Sequence, residues 1–270
     1  MTEAAPQRLT ALTFTRDRTR KVLEAACRQL PLDPAGATVL RHHTNAVYRL
    51  AASPVVVKIA RPDIRHAPAI VQLTRWIADR QVPSVPLLDD IDQPVEIAGC
   101  AITFWRYLPQ TRPLVAADIA GPLAALHNLP PPPLHLPDFD PILAIQRSLA
   151  ATRGLHDDEQ LVLRERCADL AGKFAALRFE RPHVLLHGDP QHRNALWDDD
   201  AGRAVLCDWE SAVFGPPEWD LTTIEIHCRR FGHDATEYRD FWGLLGFLWV
   251  CSIPFRAGFA VVKEIGPPER

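Results

Sequence analysis

His183–Glu210 reads HVLLHGDPQHRNALWDDDAGRAVLCDWE. Val184-Leu185-Leu186 is an apolar run of the kind that predicts a buried strand. A polar loop follows, from His187 through Gly188, Asp189, Pro190, Gln191, His192 and Arg193 to Asn194. Ala195-Leu196-Trp197 predicts a short strand. Asp198-Asp199-Asp200-Ala201-Gly202 predicts a chain reversal, because Asp and Gly suit tight turns. Ala204-Val205-Leu206-Cys207 predicts a second strand that delivers Asp208-Trp209-Glu210. Two strands joined by that turn form a hairpin whose ends lie together. Asp189, Asn194 and Asp208 are therefore expected to converge at one edge.

The residue types at that edge have a chemical meaning. A carboxylate at the start of the loop can accept a proton from a hydroxyl nucleophile. An amide oxygen five residues on and a carboxylate after the next strand are hard oxygen ligands, suited to Mg2+ that also holds phosphates. Taken singly these signals are weak: Asp-x-x-x-x-Asn is close to noise, His187 alone is a satisfied structural histidine, and a metal hydrolase also places His and Asp at strand ends. The ordered set of strand, His-Gly-Asp, Asn, strand and Asp-Trp-Glu is much harder to reach by chance. Its spacing is that of kinase catalytic and metal-binding loops. The set resembles the aminoglycoside phosphotransferase family of small-molecule kinases, with His-Gly-Asp where protein kinases have His-Arg-Asp.

The resemblance implies an α+β, bilobal protein-kinase-like fold, with a small β-sheet N-lobe over residues 1–107 and a mostly helical C-lobe over 108–270. It implies ATP and Mg2+ as cofactors, lying between the lobes. Asp189 would be the catalytic base, Asn194 and Asp208 the metal ligands. His187, His192, Arg193, Glu210 and Asp220 would be substrate-side or structural, with Asp220 either anchoring the catalytic loop or serving as an ordinary helix N-cap.

Bulk composition bounds the alternatives. A chain of 270 residues with 47% hydrophobic and 23% charged residues has ordinary globular composition. A net charge of -3 provides no basic field for nucleic acid. The six cysteines are scattered without a CxxC pair, which predicts reduced thiols and a cytoplasmic protein. MTEAAPQRLTALTF has no basic start before an apolar core, so no signal peptide is expected. Phe241–Val262 is very apolar, but Pro254 and Arg256 interrupt it, and a buried helix is expected there in place of a membrane span.

In chain order, Leu23, Ala26, Cys27 and Leu30 fall at helical spacing within residues 17–30. Strands are expected at Thr38–Arg41, Ala46–Leu50 and Val55–Ala60, the last supported by its β-branched run. Lys58 lies inside that run. By resemblance it holds nucleotide phosphates; the plainer reading is a lysine on the solvent face of an edge strand. The turn before Ala46 stands where kinases have a glycine-rich loop, and Thr44 and Asn45 are its candidates for shaping backbone amides around phosphate. His42 and His43 are expected to face solvent. Residues 66–80 predict a helix with Ile70, Leu73 and Ile77 on one face. The glutamate that usually pairs with the strand lysine is missing from it; the nearest acids are Asp63 and Asp79.

A strand ending near Trp105, Tyr107 and Leu108 leads into Pro109, and by resemblance its backbone binds adenine. Val115–His127 predicts a helix with a kink or late start at Pro122. Asp157–Leu177 predicts a helix that buries Leu163, Cys167, Leu170, Phe174 and Leu177. His227, Cys228 and His233 fit no zinc spacing.

The expected reaction is phosphoryl transfer to a hydroxyl of a small molecule of aminoglycoside or antibiotic type. A housekeeping amino alcohol or sugar kinase, and a non-catalytic nucleotide-binding protein, stay open. A polycationic acceptor needs an acidic cleft. Glu218, Glu225, Asp234, Glu237 and Asp240 could supply one, but Arg229, Arg230 and Arg239 are interspersed. No nucleic-acid or membrane partner is expected.

Overall fold

The computed structural model describes residues 14–62, 66–152, 154–179 and 181–230. Asp63, the apolar stretch 241–262, and His233, Asp234, Glu237, Arg239 and Asp240 lie outside the described residues. The chain divides into two compact units after Thr111, with Trp197–Gly202 counted in the first.

In the first unit, α1 (Arg16–Arg28) precedes the antiparallel strands β1 (Thr38–His42), β2 (Asn45–Arg49) and β3 (Val55–Ala60). α2 (Ala67–Ala78), β4 (Val95–Ile97) and β5 (Cys100–Arg106) complete it, and the sheet order is β1-β2-β3-β5-β4. α1 starts at an N-cap, Thr15, whose side chain accepts from the Arg18 amide. It buries Val22, Leu23, Ala26 and Cys27 against Ala46, Tyr48, Val57, Ile59, Ile102 and Phe104, the alternate residues of one sheet face.

Lys58 is half-buried on the opposite face of β3, across from Val47 on β2 and Thr103 on β5. β3 is the central strand, so the edge-strand reading of Lys58 is wrong. α2 contains no carboxylate, and Asp79 is its C-cap residue.

The β1–β2 turn is tied to its surroundings. Arg61 donates to the His43 carbonyl at 3.0 Å. His43 and Thr44 are exposed and Asn45 is half-buried. His42 departs from its expected exposure: it is half-buried, its Nε2 lies 3.2 Å from the Thr19 hydroxyl, and its ring stands against Phe14. The Thr19 hydroxyl also meets the Tyr48 hydroxyl at 2.7 Å, a polar cluster under the N-terminus of α1 that no periodicity announces.

In the second unit, α3 (Ala116–His127) lies on two short strands, β6 (Val184–Leu186) and β8 (Arg203–Leu206). α3 runs through Pro122. Ile119, Leu123 and Leu126 are fully buried, and at roughly 1.5–3 kcal/mol each they outweigh a proline penalty of about 3 kcal/mol. α4 (Pro141–Ala151), unforeseen in the sequence, packs against α5 (Asp157–Ala175). The α5 stripe is buried at Cys167 and Leu170 and only half-buried at Leu163, Phe174 and Leu177. β7 (Ala195–Asp198) pairs with β8, β9 (Val213–Gly215) pairs with β6, and α6 (Glu218–Arg230) follows. No helix among the described residues is long and apolar enough to cross a membrane.

Cys27, Cys100, Cys167 and Cys207 are free thiols. Burial pushes the Cys27 and Cys100 thiols up, so both stay protonated and unreactive at neutral pH.

Leu23 is fully buried between α1 and the sheet. Leu23→Ala is expected to cost about 2–5 kcal/mol of stability, read as a lowered denaturation midpoint in urea; a change below about 0.5 kcal/mol, typical of surface sites, would show that α1 is not part of the core.

Candidate active site

The loop after β6 is suspended from one carboxylate. Asp220 is fully buried in the first turn of α6. Its Oδ2 accepts the His187 amide at 2.9 Å and its Oδ1 accepts the Gly188 amide at 2.8 Å. Oδ2 also accepts from Nε2 of His127, at the end of α3, at 2.9 Å. Three donors on one buried carboxylate satisfy groups that would each cost about 1–3 kcal/mol if left unpaired. Of the two expectations for Asp220, the geometry is that of the loop anchor. His127 Nδ1 is buried and has no hydrogen-bond partner among the described residues.

The loop then turns sharply. Gly188 has φ 83°, in the left-handed region. A Cβ there would lie 2.0 Å from the Ser211 carbonyl oxygen. Both the backbone conformation and the contact demand glycine, which explains the Gly in His-Gly-Asp. The Trp219 indole donates to the Gly188 carbonyl at 3.1 Å and closes the turn from the α6 side.

His187 is fully buried. Its Nε2 lies 2.8 Å from the Cys207 carbonyl, and its Nδ1 accepts the Asp189 amide at 3.4 Å. It packs on Trp209 with ring centroids 4.8 Å apart. His187 thus clamps the loop to the end of β8 and is structural.

Asp189 is held through one oxygen. Its Oδ2 accepts Gln191 Nε2 at 2.7 Å and Asn194 Nδ2 at 2.8 Å. Asn194 Nδ2 also donates to the Asp189 carbonyl at 2.9 Å. The amide nitrogen of Asn194 is thereby committed to Asp189, which sets the direction of its side-chain oxygen. His192–Asn194 form a single 3-10 turn into β7. The Cys207 amide donates to the Asn194 carbonyl at 2.9 Å, which sets Asn194 beside the residue preceding Asp208. These bonds bring Asp189 and Asn194 together, and Asp208 follows the residue that is bonded to Asn194.

Asp208 has φ 70° and ψ 62°, an uncommon left-handed conformation for a residue with a side chain. Such backbone persists where the surroundings over-determine it, and it clusters at functional sites. Glu210 follows in a short 3-10 turn and is half-buried. Arg193 is exposed, and the His192 side chain lies outside the described ones. Glu218 is buried, so it adds no exposed charge to an acidic cleft.

Among the described residues no group of three His, Cys, Asp or Glu side chains could hold a metal ion. Asn194 and Asp208 offer an amide oxygen and a carboxylate. That donor set fits Mg2+, which binds through one or two carboxylates and takes its other ligands from substrate phosphates and water. It does not fit a self-contained zinc site.

In the first unit, Trp105 is buried, with its indole on the Thr103 hydroxyl at 2.8 Å. Tyr107 lies under the Arg49 guanidinium, 4.1 Å from its ring centroid. Leu108 is buried.

Gln191, His127, Ser211 and Trp219 escaped the sequence reading. Gln191 was quoted within the loop but carries no spacing rule. His127 ends an apolar helical stripe and meets Asp220 across 93 residues of chain, which no local pattern encodes.

A model of the phosphotransferase enzyme family matches residues 35–251. No curated protein matches the sequence. An aminoglycoside phosphotransferase from Streptomyces rimosus, solved with ADP and streptomycin, is similar at TM-score 0.67 and 18% identity, over 92% of this chain and 98% of that one. The amicoumacin kinase hAmiN, solved with AMP-PNP, Ca2+ and its antibiotic, is similar at TM-score 0.68 and 16% identity, over 92% and 86% of the two chains. The choline kinase LicA from Streptococcus pneumoniae is similar at TM-score 0.64 and 17% identity, over 92% and 91%. These likenesses show the protein-kinase-like α+β fold.

Gly188→Ala is expected to lower the melting temperature and remove activity together, because a methyl group meets a carbonyl oxygen in the loop that carries Asp189. Activity within about threefold of wild type, under 1 kcal/mol in barrier, would mean that the turn has room to open.

Proposed function

The chain belongs to the phosphotransferase enzyme family, and from that premise we propose that it moves the γ-phosphoryl group of ATP to a hydroxyl of a small, antibiotic-type molecule such as an aminoglycoside. The observation that carries this reading is the way Asp189 is held. Two neutral amides, from Gln191 and Asn194, bond to its Oδ2 and leave Oδ1 without a partner among the described residues. A carboxylate fixed by one oxygen presents the other in a set direction. Oδ1 is then placed to accept a hydrogen bond from the acceptor hydroxyl, orient it and take its proton.

Asn194 and Asp208 would hold Mg2+, which would supply positive charge to offset that of the phosphates. Lys58 would hold the nucleotide phosphates from the central strand, and the Thr44–Asn45 turn would present backbone amides to them. The first unit would be the nucleotide-binding part, and the chain from Arg112 onward the catalytic and acceptor-binding part. Phosphoryl transfer has a loose transition state, so positioning and charge neutralisation matter more than covalent chemistry. The rigid suspension of the loop from Asp220 suits that demand. Use of ATP and the free thiols of Cys27, Cys100, Cys167 and Cys207 would suit the cytoplasm.

The acceptor class rests on fold relatives whose own ligands are streptomycin and amicoumacin. A choline kinase shares the fold equally well, which keeps a metabolic amino alcohol as the second reading. An ADP-release screen over aminoglycosides, nucleoside antibiotics, macrolides and sugar or amino alcohols separates them. Turnover confined to choline-like or sugar alcohols would replace the antibiotic reading with the metabolic one.

Asp189→Asn is nearly isosteric but cannot take a proton. It is expected to keep ATP binding and melting temperature while kcat falls by roughly 100- to 10,000-fold. Turnover within threefold of wild type would move the base elsewhere. Calorimetry with ATP, with and without Mg2+, tests the metal ligands. Asn tolerates left-handed backbone, so Asp208→Asn removes charge without disturbing φ. It is expected to abolish the Mg2+ enhancement of ATP binding and leave the melting temperature near wild type; an unchanged Mg2+ dependence would exclude Asp208 as a ligand.

A further inference from the structure

The turn that joins β1 to β2 is closed by chemistry it does not itself supply. His42 pairs with Ala46, and the His43 amide donates to the Asn45 carbonyl at 3.0 Å, so the chain reverses over His43, Thr44 and Asn45. Tight hairpin turns ordinarily place one or two residues at positive φ, which matches the twist of the strands. This turn places none there. Among the described residues, those with a side chain at positive φ are Gln81, Ala98 and Asp208. No glycine stands between Gly36 and Gly99. The turn therefore depends on bonds from outside for its shape.

Those bonds come from the side of α1. Arg61 follows β3 directly, next to Ala60, which is in register with Asn45. Its Nη2 donates to the His43 carbonyl at 3.0 Å. The same guanidinium lies over the ring of Phe14, 5.4 Å from its centroid, and the His42 ring stands 5.3 Å from that ring between centroids. Phe14 belongs to the core between α1 and the sheet, whereas Lys58 lies on the opposite sheet face. Arg61 Nε is buried without a hydrogen-bond partner among the described residues. A buried donor left unpaired is a cost, and it is carried at the residue that ties the turn down.

We propose that Arg61 is a positioning residue for nucleotide phosphates, acting on them through the peptide between His43 and Thr44. The proposal rests on the nucleotide reading given above. The His43 carbonyl and the Thr44 amide belong to one planar peptide unit, and in the trans form they point in opposite directions. Holding the carbonyl on Arg61 therefore aims the Thr44 N–H away from Arg61. Thr44 is exposed, and its amide has no hydrogen-bond partner among the described residues. It is an open donor with a fixed direction, suited to a phosphate oxygen. Without the guanidinium nothing opposes a flip of this peptide, and a flip puts a carbonyl oxygen where the phosphate needs a donor. Arg61 thus supplies from β3 the rigidity that a favoured turn sequence would supply from within.

Calorimetry on the whole chain with ATP and Mg2+, and with adenosine, tests this and needs no acceptor. Two neutral variants remove the bond: in Arg61→Met the side chain has no donor, and in Arg61→Gln it is too short to reach the His43 carbonyl. In both, ATP is expected to bind roughly tenfold more weakly, the low end for a hydrogen bond to a charged group. Adenosine, which has no phosphate, is expected to bind as it does to wild type. The fold loss for ATP is expected to be the same at about 0.05 M and about 0.5 M KCl, because salt screens the pull of a distant charge but not the aim of a peptide. A loss that disappears at high salt would make Arg61 a remote charge and overturn its positioning role. Equal losses for ATP and adenosine, an unchanged ATP affinity, or failure of both variants to fold would overturn it as well. Each of these leaves the phosphotransferase reading standing. Failure of wild type to bind ATP would overturn both.

Discussion

A single buried carboxylate holds the loop after β6 in shape. Asp220 enters from the first turn of α6 and takes two consecutive loop amides, while α3 contributes His127 to the same oxygen as one of them. Two helices and one loop are thereby fixed relative to one another at a point shielded from solvent. The Asp220 side chain is fully shielded and His127 nearly so. In such surroundings hydrogen bonds to a charged group are stronger and less forgiving than on the surface. Loss of the carboxylate would leave two backbone amides and an imidazole with nothing to bond.

From that anchor the geometry propagates outward by short steps. His187 bonds to the Cys207 carbonyl, and the Cys207 amide bonds to the Asn194 carbonyl. Both ends of the β7–β8 hairpin are thus tied to the loop. Asn194 in turn fixes Asp189. Asn194 and Asp189 each commit one polar atom of the side chain to this structure, the amide nitrogen and Oδ2. Asp208, next to Cys207, carries left-handed backbone, a conformation that persists where the surroundings over-determine it.

Much of this was legible in the sequence, for identifiable reasons. The strands at Val184, Ala195 and Ala204 are short apolar runs bounded by turn residues, and the order of Asp189, Asn194 and Asp208 along them carries the family pattern. Helix α1 announced itself by a stripe at positions 23, 26 and 27. What stayed hidden involves pairing across long chain separation or a bond made by a common polar residue. Thr19 with Tyr48 and His42, and His127 with Asp220, follow no spacing. The alternative of Lys58 on an edge strand could not be removed from the sequence, because strand order depends on where β5 inserts, and periodicity within β3 is silent on that. Phe174 and Leu177 lie on the predicted face of α5 yet are only half-covered, since a stripe gives the direction of burial and not the size of the neighbour.

The close approach of Gly188 to Ser211 reaches beyond folding. Protein kinases carry a basic side chain at the equivalent loop position, and phosphorylated activation segments are ordered by docking on arginines. Here that position cannot accept even a methyl group without striking a carbonyl oxygen. No cation can stand there to read a regulatory phosphate, so that means of switching is closed to this chain.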